Sequence, residues 1–373
     1  MPSDQPDNPS GPQGPHKRRP RYPGKYPRRF EHRYKELAPG ANPEIHTHVR
    51  AQGRTPAGTH VPVLVAEAMD ALRPAPGETA VDCTVGYGGH ALELLKRIGP
   101  TGRLLGFDVD AENLERTRAR LEAAAGGAAV LLHRGNFAGI DRALAAEQIA
   151  AANVILADLG VSSMQVDDPA RGFSYKFDGP LDMRMDSRLP QTAADLLRDL
   201  APEKLAAALA DLADEPDAAL IAARIAQERG RRPISRTQEL VRLIFDVKGL
   251  SMRRWRERQR GTAGLPGRGD SREASDLHPA ARTFQALRIL VNDELGALRQ
   301  LLRVAPACLA PGGRIGIISF HSGEDRLVKL AFRDGMRAGT YAAISDEPIR
   351  PTAQEVHDNP RSASAKFRWA RKT

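Results

Sequence analysis

The sequence predicts an α/β fold in which a doubly wound parallel sheet is interrupted by a helical block and preceded by a disordered extension. Short apolar runs alternate with amphipathic helical segments from residue 79 onward, as in strands joined by crossover helices. This alternation stops after Arg171, and a strand pattern resumes only after Gly312 and Gly313. Residues 1–59 are rich in Pro, Gly and Lys/Arg and nearly lack aliphatic side chains, so we expect them to be disordered.

The predicted elements follow in order from His60. The segment HVPVLVAEAMDAL predicts a helix with one apolar face, and strands are then expected at 79–82, 104–108, 129–133 and from 154. Further along we expect Ala- and Leu-rich helices at 192–247 and a basic flexible loop at 251–273. One long helix at about 280–303 and a buried strand at 314–320 should follow. This order predicts an extension at 1–59 and a core domain made of 60–170 and 276–373. A helical domain at 171–275 is inserted into the core domain.

Composition excludes several classes of protein. The chain has 373 residues, 41% of them hydrophobic, but no run approaches the roughly 20 apolar residues that span a bilayer. No apolar signal segment precedes the folded part, so we expect a cytoplasmic protein without a membrane partner. Cys83 and Cys308 are too few for a disulfide framework or a zinc site, and no metal is expected. The oligomeric state is left open.

The net charge of +9 is unevenly distributed along the chain. Residues 1–59 contain eleven Lys and Arg against five Asp and Glu. Four aromatic residues are interleaved with these cations, namely Tyr22, Tyr26, Phe30 and Tyr34. Such a mixture suits RNA phosphates and stacked bases, but it fits a solubilising tail equally well. Both interpretations remain open.

A glycine turn follows the first predicted strand. Asp82 is followed by Gly86, Gly88 and Gly89 and then by a helical segment, and a second strand ends at Asp108. Strand, glycine turn, helix, strand and acid form the layout of a nucleotide-binding βαβ unit, although glycines also serve simple tight bends. The third glycine of a dinucleotide site and a Walker lysine are both missing. The pattern therefore favours S-adenosylmethionine, with Asp108 accepting hydrogen bonds from its ribose hydroxyls.

Two further predicted strands end in polar residues. Asp158 ends the fourth strand, and His321 and Ser322 follow the strand at 314–320. Because ligands bind outside the carboxyl ends of strands in open α/β sheets, these residues should lie near the same site as Asp108. Asp158 is a candidate to accept a hydrogen bond from a target amine and to orient it for methyl transfer. The alternative is that Asp158 only caps the next helix.

Several longer motifs carry a family resemblance. They include GYGGHA at 86–91, DLGVSSMQVDD at 158–168, RGFSYKFDGPLDMRMD at 171–186, HPAARTFQALRILVNDEL at 278–295 and APGGRIGIISFHSGEDR at 310–326. From about residue 60 to 370 the chain resembles the bacterial 16S rRNA (cytosine-N4)-methyltransferase H family, also called RsmH or MraW. The resemblance implies a class I S-adenosylmethionine-dependent methyltransferase with an inserted helical substrate-binding domain. It also implies methylation of N4 of the cytidine at position 1402 of 16S rRNA, in the 30S ribosomal subunit.

The same resemblance implies roles for individual residues. The cofactor would contact seven of them, namely Gly88, Gly89, His90, Asp108, Phe137, Asp158 and Gln165, with Asp158 also the catalytic candidate. The candidates for RNA contact are Arg171, Phe173, Arg184, Arg282 and His321, although the arginines could instead form internal ion pairs. The chain departs from the family pattern at Tyr87, Ala91 and Gly323. Gly323 puts the geometry of His321 in question.

Two other functions compete with this interpretation. A nicotinamide-dependent oxidoreductase would share the βαβ unit, but the missing third glycine disfavours it. A non-catalytic RNA-binding module would share the charge, but the glycines, Asp108 and Asp158 are all retained. The identity of a general base, and the choice between naked rRNA and the assembled subunit as substrate, are left open.

Overall fold

The fold was analysed in a computed structural model that describes residues 62–255, 257 and 277–373. Its centre is a seven-stranded sheet in the order β3-β2-β1-β4-β5-β7-β6. All neighbouring pairs from β3 to β5 are parallel, whereas β7 runs antiparallel to both β5 and β6. The strands are β1 (Thr79–Asp82), β2 (Arg103–Asp108), β3 (Ala129–Arg134), β4 (Ala152–Asp158), β5 (Leu309–Ser319), β6 (Tyr341–Ile344) and β7 (Lys366–Lys372).

Helices cover both faces of this sheet. The helices are α1 (Val65–Leu72), α2 (Gly89–Ile98), α3 (Ala111–Ala124), α4 (Ile140–Ala146), α5 (Ser163–Asp167), α6 (Ala193–Asp199), α7 (Pro202–Ala213), α8 (Ala218–Arg229), α9 (Thr237–Val247), α10 (Ala281–Asn292), α11 (Glu294–Cys308), α12 (Ser322–Arg337) and α13 (Ala353–Asp358). Leu94 of α2 and Met69 of α1 pack in one core cluster, and Leu298 of α11 and Phe332 of α12 pack in a second. The chain is therefore a three-layer α/β structure around the sheet.

The strand registers place several carboxylates at one edge of the sheet. Asp82 pairs in register with Gly106 and Leu156, so β1 ends beside both of its neighbours. Asp108 and Asp158 are the last residues of β2 and β4. The order reverses between β1 and β4, which makes this carboxyl edge the switch point where an open α/β sheet binds ligands.

Helices α6 to α9 lie between β4 and α10 and pack together. Leu205, Ile221 and Ile244 belong to a buried cluster separate from the two that flank the sheet. The chain enters this block through close backbone contacts that only glycine permits: a Cβ on Gly172 would collide with the backbone of residues 180–182, and a Cβ on Gly179 with Pro169. The motif at 171–186 thus folds against itself at the entrance to the helical block.

The structure corrects the expected long helix at about 280–303. Asp293 has a left-handed backbone, with φ of 47°, and separates α10 from α11. No proline or glycine lies at this break, so the sequence gives no warning of it. The break has a consequence for the site, because Asn292 and Glu294 on either side of it line the main cavity.

Two expectations concern residues outside the described part of the chain. The predicted disordered extension at 1–59 lies there completely. Of the basic loop expected at 251–273, only residues 251–255 and 257 are described, and residues 252–255 are helical instead of a loop. Within residues 62–255, 257 and 277–373, no helix has the length and apolar character needed to cross a membrane.

Candidate active site

A cavity of about 270 Å³ opens at the carboxyl edge of the sheet. Thr84 and Gly86 after β1, Asp108 at the end of β2 and Asp158 at the end of β4 form its floor. Apolar side chains that include Val85, Phe107, Val109 and Phe137 line part of the wall. The combination of an apolar wall with a few converging polar groups is typical of a small-molecule site.

The glycine turn contributes backbone to this cavity. Gly86 and Gly89 line it, as does His90 at the start of α2. Gly88 is not among the residues that line it, and the expected contact of Gly88 with the cofactor stays a prediction. Its φ of 78° and its close approach to Thr117 and Leu121 show that glycine is needed there to turn the chain and to pack against α3.

Asp108 is held by backbone donors on both carboxylate oxygens. Oδ2 accepts from the Gly86 N–H at 3.0 Å, and Oδ1 accepts from the Asp110 N–H at 2.8 Å. Burial raises the pKa of Asp108 to about 6, against the opposing effect of these N–H donors. Because each carboxylate oxygen has two lone pairs, Asp108 keeps acceptor capacity toward the cavity. This fits a ligand that presents a pair of hydroxyl groups.

Asp158 and His90 form a buried pair at the centre of the site. His90 Nε2 lies 2.9 Å from the Val63 carbonyl, so the tautomer protonated at Nε2 donates there and leaves Nδ1 facing Asp158. Nδ1 lies 3.8 Å from Asp158 Oδ2. Asp158 Oδ1 is buried and has no hydrogen-bond partner among the described residues. Asp158 therefore does not act as a helix cap, since Ser162 caps α5.

Burial raises the pKa of Asp158 well above its ordinary value, and the charges of Asp82 and Glu324 raise it further. A buried carboxyl with spare acceptor capacity, facing a cavity, is a typical candidate for proton transfer or for binding an amine. This arrangement is the strongest functional signal in the described part of the chain.

Phe137 and Gln165 both contribute to the cavity. Phe137 begins a short 3₁₀ helix capped by Asn136, whose side-chain oxygen accepts from the Ala138 N–H at 2.9 Å. Gln165 closes a capping box with Ser162 on α5, and its Nε2 lies 3.4 Å from Asp110 Oδ2. Both side chains line the cavity. Phe137 also packs against a core cluster, so its core alternative holds in part, whereas Gln165 is buried and is not a surface residue.

Arg171, Phe173 and Arg184 have internal contacts in the structure, whereas their expected contacts with RNA stay predictions. Arg171 pairs with Asp110, with its Nη1 at 2.7 Å from Oδ2, and Arg184 pairs with Asp182, with its Nε at 2.8 Å from Oδ1. Phe173 is only 8% exposed and belongs to the core of the helical block. Stacking on an RNA base requires an accessible ring face, which Phe173 lacks. The two arginines form the internal ion pairs that were the alternative interpretation.

The last two RNA candidates lie outside the cavity lining. The Arg282 guanidinium donates to the Asp214 carbonyl, which ties α10 to the end of α7. His321 caps α12, where its Nδ1 accepts from the Glu324 N–H at 3.4 Å. A Cβ at Gly323 would lie 3.2 Å from His321 Nδ1, so glycine at this position gives the ring room to reach its cap.

Sequence reasoning missed several residues that line the cavity. Glu324 is 2% exposed and accepts from the Phe320 N–H through Oε2. Burial works to raise its pKa, but hydrogen bonding to His321 together with the His321 charge holds it below the ordinary value. Others come from distant parts of the chain, namely Asn113, Met185, Asp186, Asn292, Glu294, Asn359 and Arg361. Their shared location is tertiary, so no local pattern could have identified them.

With this geometry established, comparison with known proteins decides the family. A sequence model of the MraW methylase family matches residues 57–373. The chain belongs to this family. As a member of the MraW methylase family, it is an S-adenosylmethionine-dependent methyltransferase, and the oxidoreductase alternative is excluded. The expected class I fold is confirmed as well.

Two relatives of the MraW methylase are similar over nearly their full lengths. "Ribosomal RNA small subunit methyltransferase H 2" of Alkaliphilus metalliredigens is 42% identical, covering 95% of this chain and 97% of that protein. "Ribosomal RNA small subunit methyltransferase H 1" of Agathobacter rectalis is 41% identical, with the same two coverages. Since 95% of the chain is matched, the similarity reaches well into residues 1–59. The expectation that it begins at His60 is therefore wrong for these relatives.

Proposed function

We propose that this MraW methylase transfers a methyl group from S-adenosylmethionine to N4 of the cytidine at position 1402 of 16S rRNA, in the 30S subunit. The family assignment and the names of the relatives support small-subunit rRNA as the substrate. The observation that carries the choice of an amine is Asp158, whose buried Oδ1 lacks a hydrogen-bond partner among the described residues. A target N–H would supply that partner.

We assign the cofactor to the cavity beside Asp108. Asp108 would accept from the ribose hydroxyls, and the apolar wall around Phe137 would cover the adenine. Gly89 and His90 would border the methionyl portion, and Gln165 would complete the far side. S-adenosylmethionine has no phosphates, which agrees with a turn that carries no lysine and no dinucleotide fingerprint. We further assign residues 171–275 to RNA recognition.

The target amine must be made more nucleophilic for methyl transfer. The N4 lone pair of cytosine is delocalised into the ring, so the amine is a weak nucleophile. When bound, S-adenosylmethionine supplies a methyl group on a positively charged sulfur. Asp158 would accept one N4 hydrogen in a hydrogen bond, which aligns the nitrogen with the methyl carbon and makes its lone pair more available. As the N–C bond forms and the C–S bond breaks, N4 must lose this proton. The raised pKa of Asp158 makes its carboxylate a stronger base for accepting the proton.

The electrostatics of the cavity agree with this assignment. Asp108, Asp158 and Glu324 bring carboxyl groups to one site, which favours a positively charged sulfonium over an anionic ligand. The rRNA phosphates must then be contacted outside the cavity. Arg361 at the cavity rim has a side chain 41% exposed and is paired with Asp167 at 2.8 Å.

The test uses 30S subunits from a strain in which this gene is deleted. We expect the purified protein to methylate one cytidine, and mass spectrometry of rRNA fragments should locate it at position 1402 and on N4. Methylation of another nucleotide, or of another atom of cytosine, would contradict the proposal. If no methyl group is transferred to the RNA, the proposed substrate class is contradicted as well.

Asp158→Asn separates catalysis from cofactor binding. The amide keeps the shape but loses the negative charge and half of the acceptor capacity, so kcat should fall by about 10²–10⁴-fold. The Kd for S-adenosylmethionine, measured by calorimetry, should change by less than about threefold. Asp70→Asn, at an exposed position on α1 and outside residues 171–275, is the matched control and should retain full activity. A loss that appears only in the Kd would make Asp158 a binding residue.

A further inference from the structure

One wall of the cavity is a short segment that belongs to the helical block rather than to the sheet domain. Residues 183–189, here called the wall segment, place Met185, Asp186 and Leu189 on the cavity. Met183 at its start has a left-handed backbone with φ of 63°, a costly conformation for a side chain of this size. Such a conformation persists only where surrounding contacts impose it.

Arg171 supplies many of those contacts. Its Nη2 donates to the carbonyls of Arg184 and Met185, each at 3.1 Å, and its own carbonyl accepts from the Met183 N–H at 3.0 Å. Asn292 holds the same segment from the other side, accepting from the Met185 N–H at 2.7 Å and donating to the Met183 carbonyl at 2.8 Å. The wall segment is thus fixed by side chains on both flanks.

The same Arg171 side chain reaches the proposed cofactor site. Its Nη1 donates to Asp110 Oδ2 at 2.7 Å, and the Asp110 N–H donates to Asp108 Oδ1 at 2.8 Å. Burial works to raise the pKa of Asp110, but the Arg171 guanidinium holds it below the ordinary value. Asp108 is two residues away and is the proposed ribose ligand. A continuous set of short polar contacts therefore connects that ligand to the wall segment.

We propose that Arg171 is a positioning residue that couples the S-adenosylmethionine site to the wall segment of the helical block. Through Asp110 it orders the end of β2, and through the carbonyls of residues 184 and 185 it orders the opposite wall. Binding of S-adenosylmethionine should then protect the wall segment, and loosening the wall segment should weaken S-adenosylmethionine binding by the same factor. This inference rests on the proposed position of the cofactor and assigns Arg171 no contact with RNA.

The principal variants are Arg171→Gln, which removes the charge, and Arg171→Lys, which keeps the charge but lacks the planar fork. For both we expect calorimetry to show a Kd for S-adenosylmethionine raised by at least about tenfold. Hydrogen exchange should show faster exchange of amides at 183–189 without cofactor and weaker protection with it. The affinity for 30S subunits and its salt dependence should not change.

The matched control is Arg198→Gln. Arg198 is also an arginine of the helical block with carboxylate partners, Asp195 and Asp199, but it is exposed and lies outside the cavity lining. It should bind S-adenosylmethionine like the unmodified protein. Asp110→Asn removes the other half of the contact and should also raise the Kd. Combining it with Arg171→Gln should add much less than the two separate effects together.

Two results would overturn the inference. An unchanged Kd for S-adenosylmethionine together with a lower 30S affinity and a shallower salt dependence would make Arg171 a phosphate ligand and overturn the inference. Unchanged values in all three measurements would also overturn it. If Arg171→Gln does not fold, Arg171→Lys and Asp110→Asn decide the same question. A target nucleotide other than position 1402 would leave these binding and exchange results intact, so the two proposals fail separately.

Discussion

Asp82→Asn tests whether ionisation of the buried Asp82 carboxyl destabilises the folded protein. Asp82 ends β1, is 1% exposed, and accepts from the Thr84 N–H at 3.0 Å through Oδ1. Burial raises its pKa from 3.8 to about 7, with the Thr84 N–H opposing and the charge of Asp108 adding to the increase. A carboxyl with a raised pKa destabilises the folded protein once the pH is high enough to ionise it.

The expected pH dependence follows from proton binding. In the unfolded chain Asp82 loses its proton near pH 3.8, whereas in the folded protein it retains the proton until about pH 7. Between these values the folded state binds more protons, so its stability falls as the pH rises and levels off above pH 7. At 1.36 kcal/mol per pKa unit, the full cost of ionised Asp82 is about 4 kcal/mol.

The Asp82→Asn substitution removes the cost of the ionised carboxyl but adds the cost of burying an amide. A buried amide NH₂ without an acceptor costs about 1–3 kcal/mol at every pH, so the variant should be more stable by roughly 1–3 kcal/mol at pH 8. The cost of burying the amide does not change with pH. The pH dependence of the stability difference therefore reports only the ionisation of Asp82. The stability difference between variant and unmodified protein should grow by about 2–3 kcal/mol from pH 5 to pH 8, most of it below pH 7.

The assay is urea denaturation of both proteins at pH 5, 6, 7 and 8. Asp211→Asn is the control for a carboxyl-to-amide change at an exposed position. A difference in unfolding free energy that is the same at all four pH values would refute the reasoning. It would mean that Asp82 ionises in the folded state as it does in the unfolded chain.

Two further predictions concern the cofactor site and the extension. Asp108→Asn should raise the Kd for S-adenosylmethionine by at least about tenfold, because an amide must turn its NH₂ toward either the Gly86 or the Asp110 N–H and loses charge-assisted acceptance. An unchanged Kd in calorimetry would remove Asp108 from the site. Deleting residues 1–59 should leave that Kd unchanged, because every proposed cofactor ligand lies beyond Gly86. The deletion should lower 30S affinity and reduce the slope of log K against log salt by about 0.7–0.9 for each lost phosphate contact. Parallel salt plots with equal affinities would show that the extension only keeps the protein soluble.

The position of the two acids at the cavity was predictable because their signal is local. Asp108 and Asp158 follow apolar runs, and in a parallel sheet such strand ends meet at one edge. The glycine turn was predictable for the same reason. The packing of Gly88 against Thr117 and Leu121 was not predictable, because sequence alone does not separate a glycine that admits a ligand from one that admits a neighbouring helix.

The arginines show where local reasoning fails. Arg171, Arg184 and Arg282 were candidates for phosphate contact because they are cations in family motifs. Their partners are a carboxylate 61 residues away, a carboxylate two residues away and a carbonyl 68 residues away. For Arg171 and Arg282 the partner is brought within hydrogen-bond distance only by the fold, so a local pattern does not indicate it.

The sequence by itself indicated the family through the resemblance of its motifs. It also determined the sheet-forming segments and the acids at their ends, because apolar periodicity and strand-end polarity are properties of short stretches. The tertiary structure alone decided that α10 and α11 are separate helices and that Asn292 and Glu294 flank their junction at the cavity. It also decided that the wall segment lines the cavity and that Asp158 Oδ1 has no hydrogen-bond partner among the described residues. These features depend on desolvation and on contacts between residues distant in sequence, which arise only when the chain is packed.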